Sequence, residues 1–373
     1  MHTDAPGRAL FIDFECLKGK PPHPALLGVL SGADDEDLQQ VITDSRLAPA
    51  AVANKDRLVV SSTSDAADTV VANARANDLR IIGWSFFDRD RLIDACPQLA
   101  DEINDRYLNA LQIARPWRHH LYPDVVIERE DEFAPKHTLD KYAKLAGYSD
   151  ANRLTNAHPA QWIRHTLDQL EAAGGNYRRV TKQAKRDWHR LIEYNRHDLL
   201  SLRHIVLRAA RELECWHAYE RTRFCVEDRD LLTEARTARR RICFMAGSRS
   251  PALAKLLERH RARRWAFITA WNPGSVPLPR AENDARQTQL RGIVEKRGFT
   301  ILPGEGIGED RSWPPEESLM VLGITEAEAV RLGRRFGQLA ILAGERGSMS
   351  RLVPCTSAGV VPPRAEQNQQ MRG

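Results

Sequence analysis

Residues 8–22 read RALFIDFECLKGKPP, and the first half of this stretch decides how the chain is interpreted. The apolar residues at positions 10–12 and 14 predict a buried strand. Asp13 and Glu15 interrupt it at alternate positions, so a strand would send both carboxylates to the same face. Two like charges in a buried strand are costly unless a cation lies between them. These two acids therefore indicate a cation-binding site.

The composition is that of a globular protein with room for two domains. Of the 373 residues, 42% are hydrophobic and 28% are charged, and the net charge is +5. No run approaches the roughly 18 uncharged apolar residues of a membrane span, and the N-terminus lacks a signal-peptide pattern. The six cysteines have no C-x-x-C spacing, which argues against a zinc ribbon and a disulfide scaffold and favours a cytoplasmic location.

The texture of the sequence predicts an α/β chain in four parts. Residues 1–225 alternate short apolar runs, such as LRIIGWSFF and YPDVVIE, with helical patterns, which predicts a mixed sheet flanked by helices. Residues 226–263, rich in arginine, predict a basic helical linker that is either solvated or tracks phosphates. Residues 264–354 predict a small α/β domain, and residues 355–373 a disordered tail.

Three further side chains complete a candidate site with Asp13 and Glu15. Asp88 follows the apolar run of GWSFFDRDRL, and Tyr194 and Asp198 stand four apart in the helical pattern of EYNRHDLLSL, hence on one helix face. Carboxylate oxygens suit Mg²⁺ or Mn²⁺. Two such ions about 3.5–4 Å apart can activate water and stabilise the leaving oxygen of a phosphodiester.

These motifs resemble the DEDD family of 3′–5′ exonucleases, in its tyrosine subclass, over residues of about 8–210. The resemblance implies a ribonuclease H-like fold, two Mg²⁺ or Mn²⁺ ions and a nucleic-acid substrate with a single-stranded or frayed 3′ end. It further implies that Asp13 bridges the metals, that Glu15, Asp88 and Asp198 complete their ligands, and that Tyr194 orients the attacking water.

Several alternatives remain open at this point. Asp90 is a second candidate for the ligand at Asp88, and Asp124 is a candidate auxiliary acid. Phe86 is interpreted as packing near the site, although stacking on single-stranded bases would suit a nuclease. A ribonuclease H-like endonuclease, or a nucleic-acid or nucleotide-binding protein with a relic site, are alternative functions. DNA and RNA are not distinguished.

The C-terminal part is similar to a bacterial domain family of uncharacterised function. The shared motifs are T-A-x-N-P, E-N followed by Arg, and F-G-Q. Four polar residues of these motifs, Asn272, Asn283, Arg286 and Gln338, stand at the ends of expected strands or helices. They form either a small-ligand pocket or a set of caps and turn-fixing side chains.

Overall fold

The computed structural model describes residues 8–32, 37–53, 58–129, 136–148, 157–228, 240–309 and 313–356. These residues form two compact units of mixed α/β structure. The first comprises Met1–Pro116 and Val126–Ala210, and the second Trp117–Val125 and Arg211–Gly373. Nowhere in the described ranges does a helix combine the length and apolar character needed to cross a membrane.

The first unit contains a six-stranded mixed sheet. Its strands are β1 (Ala9–Leu17), β2 (His23–Ser31), β3 (Leu38–Ile42), β4 (Leu58–Val60), β5 (Arg80–Gly83) and β6 (Tyr107–Asn109). Its helices are α1 (Thr63–Ala76), α2 (Phe86–Ala95), α3 (Ala100–Arg106), α4 (Leu111–Leu121), α5 (Leu139–Leu145), α6 (Pro159–Ala172) and α7 (Lys182–Arg221). The C-terminal parts of α4 and α7 belong to the second unit.

The strand order of this sheet is β4-β3-β2-β1-β5-β6, which places β1 near the centre. Strand β2 pairs antiparallel with both β1 and β3, and the remaining pairs are parallel. Side chains alternate along β1. Leu10, Ile12 and Phe14 pack with α1 and α2, whereas Ala9 and Phe11 pack on the opposite face with α7. Asp13 and Glu15 therefore lie on the face that α7 covers.

The second unit contains a seven-stranded sheet in which every neighbouring pair is antiparallel. The strand order is β13-β12-β9-β11-β10-β7-β8. The strands are β7 (Arg223–Asp228), β8 (Arg240–Met245), β9 (Arg264–Ile268), β10 (Thr300–Ile307), β11 (Glu316–Leu322), β12 (Ala340–Glu345) and β13 (Arg351–Pro354), and the helices are α8 (Pro251–Arg259), α9 (Arg280–Lys296) and α10 (Glu326–Arg335).

The expected domain boundaries differ from these units. The predicted linker over 226–263 contributes β7, β8 and α8 to the second unit. Strand β7 pairs with β10, and β8 pairs with β7. Residues 229–239 of that segment lie outside the described residues. The second unit also begins before position 225, since it includes α7 from Arg211 onward.

Three smaller expectations have different outcomes. The run YPDVVIE forms no strand, and the short strand β6 forms earlier in the chain, at YLN. Cys355, the predicted first residue of the tail, is buried in the second core, and residues 357–373 lie outside the described ranges. Cys225 and Cys243 form a disulfide between the paired strands β7 and β8, whereas the cysteine spacing predicted no disulfide framework.

Candidate metal centre

Three of the predicted acids converge in the first unit. Each of Asp13, Glu15 and Asp198 offers a carboxylate oxygen, and these oxygens lie within 4.8 Å of one another. Glu15 is buried, and the other two are partly buried. This acidic triad could hold a metal ion, because each carboxylate offers an oxygen ligand within reach of a shared position.

The periodicities of β1 and α7 explain this convergence. Asp13 and Glu15 are two positions apart in a strand, so they project from one face. Asp198 stands on α7, where Leu199 and Leu202 are buried against that face of the sheet. The register of β1 shifts directly after Glu15, so the acids occupy the last regular positions of the strand. Such irregularities commonly re-aim side chains next to active sites.

Asp88 joins the group from the first turn of α2 and lies beside β1. Its Oδ1 accepts a hydrogen bond of 3.1 Å from the backbone N–H of Phe14. The pairing of β5 with β1 ends at Phe11. Beyond that point, Asp88 hydrogen-bonds to the edge of β1 that β5 no longer covers. A Cβ at Gly83 would lie 2.8 Å from Asp88 Oδ2, so only glycine leaves room for the carboxylate.

Tyr194 lies one turn before Asp198 on α7, and the charge of Asp198 adds to burial in raising the pKa of the Tyr194 phenol. The edge of its ring contacts Trp162 of α6, with ring centroids 6.1 Å apart. Helix α6 carries none of the residues of the motifs described above. Trp162 is therefore a residue near the site that the sequence motifs do not reveal.

Asn195 is a second residue that the motifs missed, and it connects α7 to two strands. Its Nδ2 donates to Asp13 Oδ2 at 2.8 Å and to the Asp13 backbone oxygen at 3.1 Å. Its Oδ1 accepts from Gln40 Nε2 of β3 at 2.9 Å. Asn195 and Gln40 are at most 1% exposed, so the three hydrogen-bonding atoms that their side chains contribute to this contact are withdrawn from water.

Gly28 makes this contact sterically possible. It pairs with Asp13 across β1 and β2, and a Cβ added there would overlap Asn195 Oδ1 and Leu199 Cδ1. A glycine inside a strand pattern often marks a close backbone approach, so PALLGVL carried a signal for this position. The signal for Asn195 was weaker: it stands three positions before Asp198, so the two side chains share a face of the same helix.

The electrostatics of the cluster are those of uncompensated acids. Burial raises the pKa of Asp13 to about 6, with the hydrogen bond from Asn195 acting in the opposite direction. Burial, followed by the charge of Asp13, raises the pKa values of Glu15, Asp88 and Asp198 well above their ordinary range. Burial also raises the pKa of the Tyr194 phenol. Ionisation of all four acids is therefore energetically unfavourable unless a cation is bound.

A fifth acid lies close enough to act on this cluster. The charge of Asp140, in the first turn of α5, raises the pKa values of both Asp198 and Tyr194. The other two sequence candidates are placed differently. Asp90 is exposed and accepts hydrogen bonds of 3.1 and 2.8 Å from the Arg89 guanidinium. Asp124 is exposed in a turn of the second unit.

The four polar residues singled out in the second unit hold its loops together. Asn272 and Asn283 exchange hydrogen bonds of 2.9 Å, the first through the backbone N–H of Asn272 and the second through the Asn283 amide. Arg286 donates to the backbone oxygens of Ala270 and Phe336. Gln338 donates to the Trp271 backbone oxygen at 2.7 Å and also lines a cavity. Most of the set therefore fixes turns.

Comparison with known proteins identifies one region. Residues 268–341 match a family model described as a protein of unknown function, DUF3293. The match spans α9, β10, β11, α10 and the start of β12, which is consistent with the similarity of the C-terminal motifs to an uncharacterised family. No curated protein matches the chain.

Proposed function

We propose that the first unit is a metal-dependent 3′–5′ exonuclease of the DEDD tyrosine subclass, acting on phosphodiester bonds of DNA or RNA. One observation carries the proposal. Four acids from β1, α2 and α7 form one buried cluster, in which the charge of Asp13 raises the pKa values of the other three and the charge of Asp198 raises that of the Tyr194 phenol. An acid cluster of this cost is hard to explain without a cation to bind.

The sheet of the first unit supports a ribonuclease H-like fold. Its central strand β1 carries the first two acids, and β2 alone runs against the direction of the other strands. Helix α7 then brings the last motif onto the same face of β1. This is the mixed sheet flanked by helices that the resemblance implies.

Within the cluster, Asp13 is best suited to bridge two metal ions. Its charge raises the pKa of each of the other three acids, so it is the common neighbour of all of them. Glu15, Asp88 and Asp198 would complete the ligands. Two bound Mg²⁺ or Mn²⁺ ions would supply an activated water and stabilise the leaving oxygen. The Tyr194 phenol, which contacts Trp162 and lies near the charge of Asp198, would orient that water.

The residues just before Asp88 support a single-stranded or frayed 3′ end as the substrate. Phe86 is 42% and Phe87 is 41% exposed, which differs from the packing role expected for Phe86. The Arg89 guanidinium lies 4.3 Å from the Phe86 ring centroid, and that of Arg91 lies 5.1 Å from Phe87. Exposed rings beside cationic groups are suited to bases and phosphates of unpaired strands.

A degradation assay on the full chain tests the proposed function. With Mn²⁺, we expect stepwise shortening of 5′-labelled DNA or RNA oligonucleotides from their 3′ ends. Asp13→Asn and Asp198→Asn should abolish shortening, whereas Asp90→Asn, which alters an exposed acid on the same helix as Asp88, should retain it. Absence of cleavage on every DNA and RNA 3′ end would overturn the proposal.

Two further measurements separate the alternative functions. Cutting of circular single-stranded DNA, which has no end, would instead indicate an endonuclease. A relic site should show no calorimetric Mn²⁺ binding that depends on Asp13. Binding that is lost in Asp13→Asn, together with 3′-end shortening, is the result expected here.

A further inference from the structure

The second unit contains a cavity of about 450 Å³ on one face of its sheet. Its floor includes Phe224, Phe267, Leu342 and Leu352, which come from four different strands. The part of α7 that belongs to this unit forms a wall through Tyr219 and its neighbours. This volume is within the range of small-molecule sites, and an apolar floor is typical of them.

Polar groups meet at one side of this cavity, around a single loop. Asn272 Nδ2 donates to Glu316 Oε1 at 2.6 Å, and Trp313 Nε1 donates to the same oxygen at 3.0 Å. Gln338 Nε2 donates to the backbone oxygen of Trp271, the preceding residue of the loop. Glu316 and Gln338 both line the cavity. Because these hydrogen bonds use Glu316 Oε1 and Gln338 Nε2, Glu316 Oε2 and the single side-chain oxygen of Gln338 are the acceptors they leave for a ligand.

The loop itself is held rigidly. Asn272 and Ser275 both adopt left-handed backbone conformations, with φ of 45° and 58°. The Asn272–Asn283 pair fixes the loop from one side, and Ser275 Oγ lies 2.7 Å from the Tyr219 hydroxyl on the other. Strained, over-determined backbone of this kind commonly occurs at ligand sites. The loop therefore holds Glu316, the first residue of β11, and Gln338, just before β12, in a preorganised arrangement.

The chemistry of this cavity restricts its ligand. The acceptor oxygens of Glu316 and Gln338 would suit a ligand edge that carries N–H donors, and two phenylalanine rings among the lining residues, with centroids 5.4 Å apart, offer apolar surface. Three acids line the cavity: Glu214, Glu309 and Glu316. One of its two arginines, Arg221, is paired with Glu309 at 3.1 Å. A phosphate would therefore be disfavoured.

We propose that the second unit binds an amino-substituted purine as the base or nucleoside, with guanine offering the best-matched edge through its N1–H and exocyclic amine. Glu316 would accept from this edge, the rings of Phe224 and Phe267 would contact the base, and Gln338 would add a further acceptor. This site is independent of the carboxylate cluster in the first unit, and it goes beyond the proposed nuclease function.

Calorimetry and thermal unfolding of the full chain with guanosine, adenosine, uridine and guanosine 5′-monophosphate test this site. We expect guanosine to bind most tightly and to raise the unfolding temperature, with the monophosphate and uridine at least tenfold weaker. Glu316→Gln should weaken guanosine binding at least tenfold. Glu317→Gln changes the adjacent, exposed acid of β11, so it should bind like the wild type.

A second variant keeps the test informative if Glu316→Gln unfolds. Ala218 is exposed on α7 and lines the cavity, so Ala218→Trp should obstruct it while the fold is retained. Loss of guanosine binding in this variant, with an unchanged circular dichroism spectrum, supports the site. Two results would overturn the proposed site. One is failure of all four ligands to bind the folded wild type at about 1 mM, and the other is guanosine binding as tight in Glu316→Gln and Ala218→Trp as in the wild type.

Discussion

Asn195 of α7 donates a hydrogen bond of 2.8 Å to the carboxylate of Asp13 and accepts one of 2.9 Å from Gln40. The bond to Gln40 joins residues 155 positions apart. This amide sets the position of the helix that carries Tyr194 and Asp198 relative to the strand that carries Asp13. It also fixes the orientation of Asp13, whose charge raises the pKa values of the other three acids.

Asn195→Ala should destabilise the fold. The substitution leaves Gln40 Nε2 with one fewer acceptor and removes a buried donor from Asp13, which typically costs about 1–3 kcal/mol. Urea unfolding monitored by circular dichroism measures this loss. Asn73→Ala removes an exposed amide from α1 and should change the free energy of unfolding by no more than about 0.5 kcal/mol. Equal stabilities of the two variants would contradict the role assigned to Asn195.

Gly28→Ala should displace α7 from β1. The added methyl would overlap Asn195 and Leu199, and the close packing around them leaves little space for either side chain to move. We expect a loss of stability of about 1–3 kcal/mol and weaker Mn²⁺ binding, measured by calorimetry. Gly292→Ala is a matched control, because a methyl there meets open space on α9. That change should be neutral or stabilising by up to about 1 kcal/mol.

Tyr194→Phe should lower kcat while leaving the fold intact. The phenyl ring keeps its contact with Trp162, but the hydroxyl that would orient the water beside Asp198 is lost. A reduction of about 10²-fold in kcat, with KM nearly unchanged, is expected for a group of this kind. Tyr177→Phe should leave kcat at the wild-type value. A full-rate Tyr194→Phe enzyme would exclude the water-orienting role.

Acidification should stabilise the metal-free protein, and Mn²⁺ should remove this dependence. The pKa of folded Asp13 is about 6, against an ordinary value of 3.8, and those of Glu15, Asp88 and Asp198 are also raised. Folding therefore favours the protonated acids, so these groups destabilise the fold at high pH, and the penalty falls as pH decreases through their folded pKa values.

Thermal unfolding in EDTA and in Mn²⁺ from about pH 8 to pH 5 measures this linkage. The stabilisation by Mn²⁺ should be greatest at the high end, where the acids are ionised and bind metal best. Asp13→Asn should flatten the profile in EDTA, whereas Asp90→Asn should follow the wild type. A wild-type profile in EDTA that runs parallel to that of Asp13→Asn would refute the linkage.

Replacing Phe86 and Phe87 together by alanine should weaken binding of the nucleic acid without affecting the chemical step. Base stacking on an aromatic ring is worth about 1–3 kcal/mol per base, so KM for single-stranded oligonucleotides should rise at least about fivefold. Hydrolysis of p-nitrophenyl thymidine 5′-phosphate, which offers no second base, should be nearly unchanged. An equal loss on both substrates would assign the two rings to the fold instead.

The local pattern of the sequence was sufficient for the elements that carry the acids. Alternation within FIDFE predicted a strand with two carboxylates on one face, and the spacing of Tyr194 and Asp198 predicted a shared helix face; the structure has both features. Between the two candidates that the sequence left open, Asp88 is buried beside β1 and Asp90 is exposed. These features depend on the period of a strand or helix, which neighbouring residues determine.

Other features depended on partners far apart in the chain. The segment predicted to be a basic linker forms β7 and β8, because β10 lies beside β7 and provides a pairing edge. The bond between Gln40 and Asn195, and the space that Gly28 leaves for it, arise only when α7 packs on the sheet. The sequence by itself therefore determined which side chains share a face of each element. Tertiary packing decided which of those faces meet, because burial and close approach are properties of the assembled core.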